Sequence, residues 1–251
     1  MERLFQRDRA LAATALFAVT ALAWASLFRM QSDMGSMRGT AMSMSGMQAW
    51  SPVEPLLLFL MWATMMVAMM LPSAAPTILL VATVLRRRRE HASPAAPTSV
   101  FVSGYLLVWI GFSGAAAMSQ WGLHQASLLS PAMASTSPVL GGILLLVAGI
   151  YQWLPLKSAC LGHCRSPLGF LGRHWREGTV GALQMGATHG LYCLGCCWAL
   201  MTLLFVAGVM NLLWVAAIAA LVLVEKVAAV GPWLGRVAGL MLGGWGLWML
   251  R

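Results

Sequence analysis

The sequence predicts an all-α, polytopic transmembrane bundle of about seven helices with a cytoplasmic N-terminus, on three observations. The chain is 60% hydrophobic and only 9% charged, with a mean hydropathy of +0.78. Apolar runs of roughly 17–25 residues, enough to span a bilayer, recur from end to end. Its basic residues gather in alternate loops, as they do in proteins threaded through a membrane.

Taken in order, the first run, about 10–28, follows Arg3, Arg7 and Arg9 and has no convincing small-residue cleavage site after it. Residues 1–28 therefore read as a basic segment and a retained first helix. Residues 29–53 read as an outer loop of low complexity, with Met30, Met34, Met37, Met42, Met44 and Met47 set among Gly, Ser and Ala. Such a stretch has too little apolar surface to fold alone. Thioethers there have no core to fill; as soft ligands they select Cu(I), and they stay usable where thiols would be oxidised. A flexible linker with incidental Met is the competing reading.

Residues 54–251 read as a six-helix membrane domain, with runs at about 55–80, 99–120, 138–156, 186–209, 212–230 and 232–250. Arg86 to Arg89 follow the second helix, and Lys157, Arg165, Arg173 and Arg176 follow the fourth. Residues 119–137 contain no Lys or Arg. The positive-inside rule then puts the N-terminus and both basic loops in the cytoplasm of a bacterial inner membrane. The net charge of +9 is thus a topology signal. No aromatic interleaving or base-reading module points to nucleic acid.

The fifth run carries the chemistry. At about 100° per residue, His189, Cys193, Cys196 and Cys197 fall on one broad helix face. Ionisable groups are costly in hydrocarbon and there mark function, here a soft metal or thiol chemistry. The second run carries Met61, Met65, Met66, Met69 and Met70, then Pro72 and Pro76, which should kink the helix and free carbonyls. Alone, that Met stripe reads as adaptable packing; beside the Met-rich loop it reads as a second set of soft ligands. At the cytoplasmic face Cys160, His163 and Cys164 place two thiols and an imidazole within one short segment, suited to Cu(I) or Zn(II), with palmitoylation or simple burial as alternatives.

Depth links these elements. Counted from the outer helix ends, about thirteen residues of helix descend about 20 Å, into the inner half of a core of roughly 30 Å. At that level fall the Met66–Met69 turn, Tyr105, Gln152, Cys196 and Glu225, the last beside Lys226. Buried ionisable groups beside a Cys/His cluster are the pattern of an occupied cavity. Gly231, Gly235, Gly239 and Gly243 form a small-residue ridge for close helix packing, and Gly186 with Gly190 form a second. Adjacent Cys196 and Cys197 argue against a structural disulfide framework. No nucleophile triad, phosphate loop or dinucleotide fingerprint is present, so the chain reads as a binding protein rather than an enzyme.

Several of these segments resemble a known family. They are Met65-Met66 through Pro72-Ser73, Gly104-Tyr105 with Trp109, Tyr151-Gln152 with Pro155-Leu156-Lys157, and Cys160 with Cys164-Arg165-Ser166-Pro167. His189-Gly190, Cys193, Gly195-Cys196-Cys197-Trp198, Met201 and Glu225-Lys226 complete the pattern. It is similar to the bacterial family of predicted metal-binding integral membrane proteins, a domain of unknown function with an HGxxCxGCCWxLM segment, and covers about Pro55 to Val230. The resemblance implies an inner-membrane helical protein with a metal site at these residues, without naming a substrate.

The expectation is a bilayer-embedded soft-metal protein that binds copper, with zinc competitive at the Cys/His positions, in uptake, trafficking or loading of a metal-accepting partner protein. The expected ligands are His189, Cys193, Cys196, Cys197, Cys160, His163, Cys164, Met65, Met66, Met69, Met70 and Glu225. The alternative is a membrane thiol-disulfide oxidoreductase using the intramembrane cysteines. A haem protein ligated by His189 is a weaker third reading, for want of a second intramembrane His.

Overall fold

In the computed structural model, which describes residues 2–41, 53–90, 98–128, 136–209 and 211–251, every regular element is an α-helix. In chain order they are α1 (Glu2–Ala41), α2 (Val53–Glu90), α3 (Thr98–Gln125), α4 (Pro138–Tyr151), α5 (Pro155–Arg165) and α6 (Pro167–His174). Then follow α7 (Gly178–Thr202), α8 (Leu204–Ala207), α9 (Leu212–Val227) and α10 (Gly231–Met249). Four stretches are long and apolar enough to cross a membrane: Ala10–Asp33, Pro55–Arg86, Thr98–Gln125 and Gly178–Ala207.

The remaining expected spans differ in detail. The run at 138–156 is broken: α4 and α5 meet at a 64° bend and count as one further span only if the bent pair is taken together. Pro155 sits at the first helical position of α5, where its missing N–H costs nothing and its fixed φ starts a new helix. The 16 residues of α9 rise about 24 Å, less than a typical hydrocarbon core. Glycines and Arg236 dilute the apolar content of α10. The first helix is longer than expected, because α1 continues to Ala41 through Met30, Met34 and Met37. Met, Gln, Arg and Ala are good helix formers and outweigh the two glycines there. Met42, Met44, Met47 and His91 lie outside the described residues.

The α2 helix runs unbroken through Pro72 and Pro76. Pro72 has no N–H, so the carbonyl four residues before it, Ala68 O, loses its helical partner. Trp24 of α1 supplies one, donating Nε1–H to Ala68 O at 3.2 Å, and this bond docks α1 on α2.

Glycine sets the closest approaches. A Cβ on Gly104 of α3 would lie 2.1 Å from Leu183 O, and one on Gly186 of α7 would lie 1.9 Å from Phe101 O. The α3 and α7 backbones therefore touch, as small-residue packing allows. Gly149 of α4 meets Gly239 of α10 in the same way, its Cβ position being 2.8 Å from Gly239 O. Trp62, Trp109, Tyr105 and Phe101 fill the centre and are fully buried. Outside, Leu11, Phe17, Leu107, Leu191 and Trp248 are exposed, an apolar surface suited to lipid.

Candidate metal centre

The α7 helix buries His189, Cys193, Cys196 and Cys197 together. The thiols of Cys196 and Cys197 donate to the Cys193 carbonyl at 3.1 and 3.0 Å, which turns both sulfurs back along the helix. A fourth thiol arrives from another element: Cys164, in the last turn of α5, is buried within side-chain hydrogen-bonding reach of Cys193 and Cys196. Cys197 has the same reach to Cys193 and Cys196. From α2, Met70 Sδ lies 4.0 Å from Cys197 Sγ. Four buried thiols and a thioether from three helices thus lie near one another.

Polar groups surround these sulfurs. Lys226 of α9 donates from Nζ to Cys193 Sγ at 2.8 Å and to Ser73 Oγ at 3.0 Å. Its ammonium is the positive charge that a buried thiolate, or a metal–thiolate group, needs beside it. Tyr105 of α3 donates to Met70 O at 3.1 Å, and its hydroxyl is also 3.1 Å from Cys193 Sγ. His189 lies one turn before Cys193, with its ring centroid 5.0 Å from that of Phe170, 5.8 Å from Tyr105 and 6.1 Å from Phe101. Its Nδ1 is buried without a hydrogen-bond partner.

The expected ligands are only partly brought together. Cys193, Cys196, Cys197, Cys164 and Met70 share the pocket, with His189 at its edge. Met65, Met66 and Met69 are packed in the core of the bundle. The Cys160, His163 and Cys164 group separates: Cys160 Sγ rests over Gly195, 2.8 Å from where a Cβ would stand, and His163 stacks on Tyr192. Glu225 pairs with Lys157 at 2.7 Å, and Lys157 also donates to Gln152. Gly235 makes room for this carboxylate, since a Cβ there would lie 2.6 Å from Glu225 Oε1. The expected polar layer is therefore two groups, with Tyr105 and Cys196 at the sulfurs and Gln152 and Glu225 at Lys157.

Among the described residues, no three His, Cys, Asp or Glu side chains already stand as a metal cage. The thiols instead form a hydrogen-bonded group that can exchange those bonds for a soft ion, with Met70 as a further sulfur donor. Lys226, Ser73 and Tyr105 were not among the expected site residues. Lysine in an apolar run marks Lys226 as a buried ionisable group near the cysteines, without assigning it a place among the ligands. Ser73 and Tyr105 depend on which helices meet.

A family model described as PpoB2, copper chaperone, matches residues 59–249. The chain belongs to this copper chaperone family. The match spans most of α2 through α10, including every residue of the sulfur pocket, and leaves α1 and the Met-rich segment outside it. No curated protein and no solved structure matches the chain. Soft thiolate and thioether ligands select Cu(I), so the sulfur cluster, rather than the Glu225–Lys157 pair, is the part of this chain whose donors suit copper.

Proposed function

We propose that this copper chaperone works in a bacterial inner membrane, holding Cu(I) at the Cys164, Cys193, Cys196 and Cys197 thiols and passing it to a metal-accepting partner protein. The observation that carries the reading is the meeting of Cys164 from α5 with the α7 thiols, around Lys226. Copper is cargo here. Binding through two thiolates releases two protons and leaves a net charge of −1 on the Cu(I) group. Lys226 offsets that charge in surroundings where an unpaired one would be costly. Tyr105 and Ser73 hold the ammonium and sulfur in register, while Met70 and the unpartnered His189 Nδ1 offer neutral soft donors as ligands are exchanged.

The Met-rich stretch Met30–Met47 and the α2 methionines give weaker thioether stops before the thiolates, and a conducting path needs binding that also releases. The chain is oriented with its N-terminus and basic segments in the cytoplasm, by the positive-inside rule. Zinc would be served by the thiols and His189 but not by Met70, which favours copper.

Elemental analysis of the detergent-purified chain tests this reading. The wild type should carry close to one copper per chain, and Cys193→Ser or Cys196→Ser should lose it. Zinc in its place would overturn the choice of metal. Metal-free protein whose thiols cycle between reduced and disulfide forms would instead establish an oxidoreductase.

A further inference from the structure

The residue before Cys164 turns away from the sulfur pocket into a second constellation. His163 of α5 stacks on Tyr192 of α7 with centroids 4.1 Å apart and planes 3° from parallel. Its ring centroid is 5.9 Å from that of His174, the last residue of α6. Both histidines are half-buried. Each Nδ1 meets a backbone carbonyl four residues back: His163 Nδ1 lies 2.9 Å from Ala159 O, and His174 Nδ1 lies 3.3 Å from Phe170 O.

A carbonyl only accepts, so each Nδ1 carries the hydrogen, and in the neutral tautomer this selects, Nε2 is the nitrogen with the lone pair. Fixing one ring N–H on a backbone carbonyl is how proteins orient a histidine whose other nitrogen binds a metal. The bond His174 Nε2 makes is a long one of 3.4 Å to Tyr192 OH, which a metal would readily displace. Phe170 joins this constellation to the buried site, stacked on His174 at 5.0 Å and edge-on to His189 at 5.0 Å.

We propose that His163 and His174 form a second, two-coordinate Cu(I) site, a port through which the buried thiols exchange copper with the outside of the bundle. With metal–nitrogen bonds of about 2.0 Å, two imidazole centres on opposite sides of one ion stand about 6 Å apart. The observed centroid separation is 5.9 Å with the ring planes 67° apart, and His174 Nε2 is directed at Tyr192 OH, so the rings are near enough to share an ion once both Nε2 atoms turn to it. Two neutral imidazoles hold Cu(I) less tightly than thiolates do, as a transfer site requires. His163 precedes Cys164 in α5 but faces Tyr192, and the Phe170 ring stands between His174 and His189, so passage of the ion to sulfur by ligand exchange requires these side chains to move. Two Cu–N bonds break and two Cu–S bonds form in turn, each thiol passes its proton to the imidazole nitrogen it replaces and from there to water, and copper stays Cu(I) throughout. The port rests on the copper reading of the sulfur pocket but uses none of its ligands.

The test adds Cu(I) anaerobically, with ascorbate, to the detergent-purified full chain, and reads the ligands by X-ray absorption at the copper edge. The wild type should take a first equivalent in a sulfur shell and a second, weaker one with two nitrogen neighbours. His163→Gln/His174→Gln should lose the second alone. If the double variant does not fold, His163→Gln serves, because its ring is half-buried and its loss should weaken the second equivalent by about 10–100-fold. A second equivalent that survives the substitutions, or no second equivalent in the wild type, overturns the port and leaves the sulfur site standing. Nitrogen-bound copper alone, lost in the variant, establishes the two-histidine site but overturns the sulfur site and with it the port's role. A wild type that takes no copper overturns both.

Discussion

Lys226 places its ammonium 2.8 Å from Cys193 Sγ in a helix whose other residues, Glu225 aside, are apolar. Lys226→Met keeps the side-chain length and removes the charge. It should weaken Cu(I) binding by about 10–100-fold, read by competition with a soluble Cu(I) chelator, because the outer partner of a ligand is removed. Unchanged affinity would mean the ammonium only fills space. Trp24 gives a prediction about stability instead. Trp24→Phe leaves Ala68 O, already deprived of a partner by Pro72, without its donor, at a cost of about 1–3 kcal/mol. A lowered unfolding temperature is the expected readout, and an unaltered one would show that water replaces the indole. At this scale the α7 part of the site was legible, because four soft ligands at helical spacing share a face whatever surrounds them. Cys164 was legible as a member of the Cys160–Cys164 group, with His189 and Cys193 as its nearest further donors along the predicted topology. Its true neighbours depend on how α5 lies against α7, which spacing along the chain does not encode. The same holds for Glu225, whose side chain goes to Lys157 although Lys226, next in sequence, goes to the sulfurs.

The elements were legible where apolar length alone decides them, and misread where packing or backbone chemistry intervenes. The α2, α3 and α7 helices follow from their long runs. The bend between α4 and α5 is hidden inside one continuous apolar run, with Pro155 as its only local sign. The Met-rich segment read as a loop because Gly and Ser interrupt it, yet α1 carries on to Ala41. Of the glycine ridges, Gly186 and Gly239 sit at close helix contacts as expected, whereas a Cβ on Gly243 would meet nothing within 4 Å. Gly239 meets Gly149, while Gly235 accommodates Glu225. This assigns different costs to two substitutions of one kind. Gly186→Ala pushes a methyl to 1.9 Å from Phe101 O and should cost at least 1–3 kcal/mol, roughly the penalty of overpacking. Gly111→Ala meets nothing within 4 Å and should be neutral or stabilising by up to about 1 kcal/mol. Thermal unfolding of the two variants side by side decides it, and equal effects would contradict the close α3–α7 contact.

Across the whole molecule, an apolar exterior compatible with a membrane surrounds the buried sulfurs, and the proposed site would lie away from both aqueous faces. The proposed orientation predicts which residues face which side. In a Cys160→Ser background the remaining thiols are buried, so Ser127→Cys should react with an impermeant maleimide on intact cells, and Arg173→Cys only after permeabilisation. The reverse pattern would invert the topology and place the His163–His174 port on the outer face. In the proposed function, α5 and α7 build one copper site between them. The most direct measurement is the Cu(I) affinity of Cys164→Ser beside that of Cys196→Ser, by chelator competition on the full chain. A shared site predicts that both lose affinity to a similar degree. Wild-type affinity in Cys164→Ser, with binding lost in Cys196→Ser, would confine the site to α7 and contradict the account.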